Sequence, residues 1–248
     1  MTVLLLTCLT RVFAQTEIQK DNKDTEVRTP PKESQVYIGL SGNLNSSWIM
    51  YQQTYGEPFL KYQFTMRPGV NLQLGYDWDY NWGIRAEIGY AMLGQKYKDT
   101  QYGLPTTRNI KTNYLQIPVL FKFRTYGDHV KFYAMTGFQM NLLLSATQEY
   151  LRDGQQPPVF HNPRSDRDID VGATEIKERY TNVNLGMRFD LGVDIRLTDK
   201  LFLNAGISNM YSITNLVDPD WRMRDYKDEF HYSHNFYSGL NVGINYIF

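Results

Sequence analysis

The sharpest chemical pattern in the chain is the short motif His231-Tyr232-Ser233. Side chains two positions apart share a face on a β-strand, so the His231 imidazole can act as a base toward the Ser233 hydroxyl. Glu229 and His234 lie beside the motif, and an acid in such a place can orient the base. Because a two-residue motif is short, the favoured alternative is that these residues form the exposed, polar and aromatic end of a loop and have no catalytic role.

A second candidate is a run of alternating aspartates, Asp166, Asp168 and Asp170, followed by Gly172. Oxygen-rich loops of this kind can hold Ca²⁺. The spacing departs from the EF-hand loop, because the glycine sits one position late and Lys177 stands where the closing glutamate belongs. Two arginines in the same stretch also repel a cation, so the favoured interpretation is a solvated charged loop without a metal.

The elements that carry these residues are best seen in residues 183–197, where apolar and polar residues alternate. One set is Val183, Leu185, Met187, Phe189, Leu191, Val193, Ile195 and Leu197; the other is Asn184, Gly186, Arg188, Asp190, Gly192, Asp194 and Arg196. Alternate residues of a strand point to opposite faces. The apolar face is long enough to cross a hydrocarbon layer when tilted, which takes about 9–11 residues. The pattern predicts a strand with one face toward lipid and one toward the inside of a narrow barrel.

Composition agrees with a membrane barrel and argues against a nucleic-acid-binding protein. The 26 Lys and Arg balance the 26 Asp and Glu, whereas phosphate recognition needs an excess of cations. The 19 tyrosines suit a protein that meets two membrane–water interfaces. After the first residues, no apolar run approaches the roughly 18 residues of a spanning helix. A chain of this kind can span a membrane as a closed barrel.

Residues 1–14 resemble a shortened secretory signal peptide that ends at Val12-Phe13-Ala14. The single cysteine, Cys8, lies inside this segment, where removal with the signal is favoured over lipidation. Removal leaves a mature chain without a thiol, which excludes disulfides and thiolate metal sites. Residues 15–35 are polar, charged and broken by Pro30-Pro31, and they predict a flexible periplasmic leader before a barrel domain at residues 36–248.

The alternation recurs about eight times from Val36 onward, and the connections alternate in length. Short turns are predicted at residues 79–81, 126–129 and 198–200, and long loops at 49–66, 97–112, 148–180 and 215–233. Pro118 lacks a ladder donor, so a local bulge is predicted there. The sequence predicts an all-β protein, an eight-stranded antiparallel up-and-down transmembrane β-barrel with short periplasmic turns and long extracellular loops.

In a barrel of this size the side chains fill the lumen, so a free aqueous pore is not expected. Seven charged residues belong to the predicted inward faces: Arg85, Glu87, Lys122, Arg188, Asp190, Asp194 and Arg196. Their signs nearly balance, and buried charges must be paired to avoid a cost of several kcal/mol each. A structural polar plug is the favoured interpretation, and a proton or ion path is the alternative.

Aromatic residues and arginines are concentrated in the last long loop. They form a predicted binding rim of Trp221, Arg222, Arg224, Tyr226 and Phe230, joined by Tyr232 and by Tyr150, Phe160 and Tyr180 of the preceding loop. These residue types are enriched at interface hot spots. Two interpretations stay open: the rim binds a partner, or it lies at the lipopolysaccharide head groups.

Several stretches resemble the PorT family of outer-membrane barrels from Bacteroidota, which are OmpA/OmpX-like eight-stranded barrels. Residues 89–97 (GYAMLGQKY) resemble a strand of that family, and residues 113–123 (NYLQIPVLFKF) resemble its most recognisable strand. Residues 132–146 resemble the next strand, with Thr136-Gly137-Phe138 where the family has Gly-Pro, and residues 245–248 (NYIF) resemble a terminal insertion signal. The resemblance implies an outer-membrane barrel, and some members serve the type IX secretion system.

Three hypotheses about function are open at this point. The first is a non-enzymatic barrel whose loops bind a partner protein or surface glycan. The second is an accessory subunit of an envelope machine, for secretion or barrel assembly. The third is a lipid A-modifying enzyme, because outer-membrane lipid A deacylases are of similar size and use a His-x-Ser pair. No cofactor and no nucleic acid are expected; the expected partners are outer-membrane lipid, lipopolysaccharide and a larger membrane complex.

Overall fold

The computed structural model describes residues 34–55, 57–162, 167–222 and 231–248. The predicted signal peptide and nearly all of the predicted leader lie outside this part of the chain. No helix within the described residues is long and apolar enough to cross a membrane. The strands are β1 (Gln35–Met50), β2 (Tyr62–Gln63), β3 (Met66–Asp77), β4 (Trp82–Gln101), β5 (Leu104–Arg124), β6 (Val130–Arg152), β7 (Phe160–Asn162), β8 (Arg167–Ile169), β9 (Val183–Arg196), β10 (Leu201–Ser212) and β11 (His234–Ile247). Two short 3₁₀ helices, η1 (Lys177–Arg179) and η2 (Pro219–Trp221), lie in the loops.

Eight of these strands close into an antiparallel barrel. Their order around the barrel is β1, β3, β4, β5, β6, β9, β10 and β11, and β11 pairs with β1 to complete the ring. Each strand pairs with its neighbours along the chain, so the topology is up-and-down. Strand β2 continues the sheet beside the upper part of β4, and β7 pairs with β8 as a separate hairpin. The predicted fold class is confirmed.

The alternation of faces in β9 is the one that the sequence predicts. Phe189 and Leu191 are 46% and 49% exposed on the outer wall, whereas Asp190 is fully buried and Asp194 is 5% exposed. The same division holds on the other strands, where large apolar side chains face out and polar ones face in. A one-residue shift would exchange the two faces, so this pattern sets the strand register.

The prediction of a long loop at residues 97–112 was wrong. Strands β4 and β5 continue through it as a hairpin that turns between Gln101 and Leu104. Above the bilayer the outward residues no longer need to be apolar. Polar residues such as Lys98 are therefore exposed there, whereas Tyr97 and Ile110 point inward and are buried. A search for alternating apolar residues therefore misses the extracellular parts of β4 and β5.

The predicted bulge at Pro118 was also wrong. Pro118 pairs in register with Gln139 on β6, and the β4–β5 register is the same on both sides of it. The irregularity in β5–β6 pairing lies between Asn113 and Tyr114, where β6 has one extra residue, Leu144. The sheet therefore tolerates the missing N–H of Pro118 without an inserted residue. The bulge at Leu144 lies nearer the extracellular end.

Close contacts between tyrosines and glycines shape the lumen. Tyr37 lies directly across from Gly75, and a Cβ built on Gly75 would come within 2.0 Å of the Tyr37 ring. Tyr133 covers Gly192 in the same manner. Glycine at these positions leaves room for a large ring to lie flat against the opposite strand.

We predict that Gly75→Ala lowers the free energy of unfolding by about 1–3 kcal/mol, because the Tyr37 ring must move in a packed lumen. Gly42→Ala is the matched control, since an added Cβ there meets nothing within 4 Å. The control should be neutral or stabilising by about 0.5–1 kcal/mol through reduced chain entropy. Urea titration in detergent micelles measures both changes, and equal stability of the two variants contradicts the packing argument.

Candidate functional site

Arg188 of β9 is the centre of a buried charge network in the lumen. Its Nε and Nη2 atoms donate to the two carboxylate oxygens of Asp190 at 2.9 and 2.8 Å. Its Nη1 atom donates to Glu87 of β4 at 2.9 Å, and Arg85 Nε lies 3.3 Å from the other Glu87 oxygen. The bidentate pair lies within β9, and the bond to Glu87 joins β9 to β4, two strands that are not neighbours in the sheet.

A second ion pair crosses the lumen nearer the periplasmic end. Lys122 Nζ of β5 donates to Asp194 Oδ2 of β9 at 2.6 Å. The same ammonium lies over the rings of Tyr37, Tyr133 and Phe202 at 5.2–5.6 Å from their centroids. Aromatic faces attract a cation electrostatically, so these rings replace part of the stabilisation that the ammonium loses when it is removed from water.

The sequence analysis missed a third pair, between Arg124 and Asp77. Arg124 Nη1 lies 2.7 Å from Asp77 Oδ2, which also accepts a hydrogen bond from Gln35. Arg124 continues the inward set of β5 two residues after Lys122, and Asp77 ends the inward set of β3. The same parity that predicted the other fillers would therefore have found both.

We call these eight residues the lumen network: Asp77, Arg85, Glu87, Lys122, Arg124, Arg188, Asp190 and Asp194. Four cations face four anions, so the net charge of the network is zero. All eight side chains are buried. Paired in this way, they fill the space between the strands with fixed charges.

The placement of Arg196 corrects one prediction. Its side chain is 42% exposed and pairs with Asp199 of the adjacent turn at 3.3 Å. It borders an open cleft at the end with the short turns, together with Arg124, Lys131 and Asp194. Arg196 is near the end of β9, so its side chain has passed the enclosed part of the lumen and reaches water.

The extracellular half of the lumen is filled by apolar and aromatic side chains from the upper strands and the loops. We call this cluster the extracellular plug: Ile49, Tyr55, Leu60, Leu93, Tyr97, Ile110, Tyr114, Leu143, Ala146, Tyr150, Ile169, Val171, Ile176, Tyr180, Met210, Leu216, Val217, Trp221 and Tyr237. Burial in the plug raises the pKa of the Tyr180 hydroxyl above its ordinary value, so this group is neutral at physiological pH. The loops are therefore folded inward over the barrel mouth.

Arg179 of η1 contacts residues of several loops within the extracellular plug. It is 3% exposed, and its guanidinium carbon lies over the rings of Tyr55 at 5.3 Å and Trp221 at 5.1 Å. Its Nη2 atom donates to the Asp170 carbonyl at 2.6 Å, and its own carbonyl accepts from Asp218 N–H at 3.0 Å. One side chain thus connects the first, third and fourth extracellular loops.

The predicted binding rim is only partly where the sequence placed it. Trp221 is buried in the plug at 9% exposure, which corrects its assignment to an exposed rim. Tyr150 and Tyr180 are buried in the plug as well. Arg222 is half-buried, and its Nε donates to the Val217 carbonyl at 2.9 Å. Predicted members Arg224, Tyr226 and Phe230 lie outside the described residues.

His231 and Ser233 precede β11, which begins at His234, so they do not share a strand face as the catalytic hypothesis requires. Ser233 is 1% exposed, and its hydroxyl donates to the Tyr51 carbonyl at 2.8 Å. The His231 ring stacks on the Tyr51 ring with centroids 4.2 Å apart. The motif joins the fourth loop to the first through Tyr51.

The aspartate run lies around a small exposed hairpin. Asp168 of β8 is 2.8 Å from His161 Nδ1 of β7, and Asp170 accepts a hydrogen bond from Gly172 N–H at 3.0 Å. Asp166 lies outside the described residues. Across the described ranges, no group of three or more His, Cys, Asp or Glu side chains is arranged to hold a metal ion.

A closed antiparallel barrel with an apolar outer wall and a charged interior defines a transmembrane β-barrel protein. The family model described as outer membrane protein beta-barrel domain matches residues 21–248, and the chain belongs to this family. The protein is therefore located in the cell outer membrane, as the sequence predicted.

Solved structures of several outer-membrane proteins are similar to the chain. Neisserial surface protein A has 12% identity and a TM-score of 0.44, over 84% of this chain and 95% of that one. The attachment invasion locus protein Ail of Yersinia pestis, in complex with the heparin analogue sucrose octasulfate, has 12% identity and a TM-score of 0.41, over 87% and 99%. E. coli outer membrane protein W has 9% identity and a TM-score of 0.38, over 85% and 98%. Comparison with curated proteins finds no match.

We predict that Asp194→Ala lowers the free energy of unfolding by about 3–5 kcal/mol, because it leaves the buried Lys122 ammonium without a partner. Replacing both residues, as Lys122→Met with Asp194→Leu, should return stability to about the wild-type value or above. Arg196→Ala is the control, since its exposed ion pair contributes at most about 1 kcal/mol. Urea titration in micelles gives all three values. Additive losses in the double variant would show that the pair is not coupled.

Proposed function

We propose that this chain is a non-enzymatic outer-membrane barrel whose extracellular loops bind a partner protein or a surface glycan. The observation that carries the proposal is the filling of the lumen at two levels, by the lumen network and by the extracellular plug. A filled barrel of this size offers no aqueous path for a solute. The surface left for recognition is the outside of the loops, which is where binding commonly resides on rigid scaffolds.

Cross-loop bonds support the proposal, because they hold the loops in one arrangement. Arg152 pairs with Glu57 at 2.6 Å, which ties the top of β6 to the first loop. Gln101 Nε2 donates to the Pro58 carbonyl at 2.6 Å, and Arg108 Nη1 donates to the Gln53 carbonyl at 2.9 Å. Preorganised loops lose little conformational entropy when they bind, so more of the contact energy remains as affinity.

Exposed side chains on these loops supply a contact surface. Tyr102 at the tip of the β4–β5 hairpin is 68% exposed, Tyr232 before β11 is 67% exposed, and Val159 before β7 is 59% exposed. Tyrosine is enriched at protein interfaces because its ring is apolar and its hydroxyl is polar. Tyr232 belongs to the binding rim predicted from the sequence, and Tyr102 supplies an exposed aromatic ring that the buried Trp221 does not.

A second candidate function is that of an accessory subunit in a secretion or barrel-assembly complex. It is supported by the resemblance of residues 89–97 and 113–123 to the PorT family of Bacteroidota, some members of which serve type IX secretion. Lipid A modification receives less support, because the buried Ser233 hydroxyl donates to a backbone carbonyl. The closely paired charges of the lumen network favour a plug over a proton or ion path.

We predict that the full chain captures a stoichiometric partner from native outer membranes and that Tyr102→Ser with Tyr232→Ser reduces capture at least severalfold. Tyr126→Ser is the matched control, since Tyr126 is 63% exposed on a short turn at the opposite end. Mass spectrometry and sugar analysis identify the captured material. A large protein complex retained by the loop variant would favour the accessory subunit, and an absence of any co-purifying partner would contradict both candidates.

We also predict that the purified protein shows no steady conductance in planar bilayers. The ion pairs of the lumen network and the packed rings of the plug leave no continuous column of water. Arg188→Ser with Glu87→Ser, which opens the centre of the network, is the comparison variant. Steady openings of the wild-type protein would show that the plug is not closed.

A further inference from the structure

On three adjacent strands, the apolar outer wall is interrupted by a row of polar side chains. Ser238 of β11 is the direct cross-strand partner of both Asn209 of β10 and Ser46 of β1. All three share the parity of the exposed outward residues Leu44, Leu240 and Ile207. Three adjacent strands therefore present an amide and two hydroxyls side by side over about 10 Å.

The rows on either side place these polar groups inside the membrane. On the extracellular side, Phe236 pairs with both Trp48 and Tyr211, an aromatic row of the kind that marks a membrane–water interface. On the periplasmic side lie Leu44, Leu240 and Ile207, which are 44%, 62% and 48% exposed. The polar row is two residues below the aromatic row, about 7 Å along the strand and less in depth when tilted.

Polar groups at this depth need a hydrogen-bonding partner, because hydrocarbon offers none. Ser46 is 9% exposed, and its hydroxyl oxygen has no hydrogen-bond partner within the part of the chain that the structure describes. Asn209 and Ser238 are half-buried on the same surface. An uncompensated row of this kind lowers stability in lipid, which indicates that something outside the barrel completes it.

We propose that Asn209 and Ser238, beside the buried Ser46, bind the acyl-linkage region of an outer-leaflet glycolipid, where amide and ester carbonyls and hydroxyl groups lie just below the sugars. Such groups reach the depth of the polar row while the sugars remain beside the aromatic row. The Asn209 amide and the Ser238 hydroxyl donate to the carbonyls, and their oxygens accept from the lipid hydroxyls. The site belongs to the wall of the barrel and is separate from the loop surface proposed above.

A lipid fits this surface better than a second membrane protein, because the polarity is confined to one level. Below it, the outward residues of the same three strands are apolar: Leu44, Leu240 and Ile207 form the next row, and Gly42, Val242 and Ala205 form the row after that. A single row of polar side chains above an apolar surface is complementary to a lipid that has polar groups at the top of its acyl chains.

The test compares the full chain with Asn209→Leu plus Ser238→Ala, purified in detergent, with lipopolysaccharide and phosphatidylethanolamine as the probes. Thr136→Val is the matched control, since Thr136 is an exposed outward residue on β6, away from the row. The wild type and the control should prefer lipopolysaccharide, and the double variant should bind it about tenfold more weakly, as expected for two lost hydrogen bonds. Phosphatidylethanolamine offers only ester carbonyls at this depth, without amide or hydroxyl groups on its chains, so the double substitution should weaken its binding less than that of lipopolysaccharide.

Unfolding temperature without added lipid shows that the double variant is folded, because an apolar replacement on the outer wall should not destabilise a barrel in micelles. Equal lipopolysaccharide affinity in the wild type and the double variant would overturn the proposal. Efficient disulfide cross-linking of Ser238→Cys to a second copy in native membranes would also overturn it, in favour of a protein interface.

Discussion

Hydrocarbon cannot form a hydrogen bond with a peptide group, and the architecture of this chain follows from that constraint. Every strand of the barrel has a partner on both sides, and the pairing of β1 with β11 removes the last two edges. Once the ring is closed, alternate side chains have opposite surroundings, oil outside and a narrow chamber inside. The charged residues of the chain can then be enclosed without contacting lipid.

The chamber is filled by two different kinds of interaction at its two levels. Toward the periplasm, Arg188, Lys122 and Arg124 pair with carboxylates on other strands, and aromatic rings cover the Lys122 ammonium. Toward the outside, the loops bring apolar side chains into the mouth, and Arg179 joins them through two rings and a carbonyl. The lower level takes its cohesion from electrostatics and the upper level from burial of apolar surface.

Sequence periodicity predicts those parts of the structure where the membrane imposes it. The faces of β9 and the inward position of Lys122 and Asp194 follow from strict alternation over lipid. Above the bilayer that constraint ends, so the upper halves of β4 and β5 were mistaken for a loop although their residues pair regularly. Trp221 and Ser233 were placed by residue type alone, and their burial depends on how distant loops meet, which no local pattern contains.

The barrel strands differ in length, so they extend to different heights above the membrane. Strands β4, β5 and β6 have 20, 21 and 23 residues, whereas β3 and β10 have 12 each. At about 3.3 Å per residue and a tilt of about 40°, the longer strands rise to roughly 50 Å and the shorter ones to roughly 30 Å. The apolar band takes up about 25 Å of either height. Strands β4, β5 and β6 thus continue well above the membrane, whereas β3 and β10 end near its surface and are continued by loops. The part of the barrel outside the membrane is therefore not symmetric about the barrel axis, and it presents a different surface in each direction.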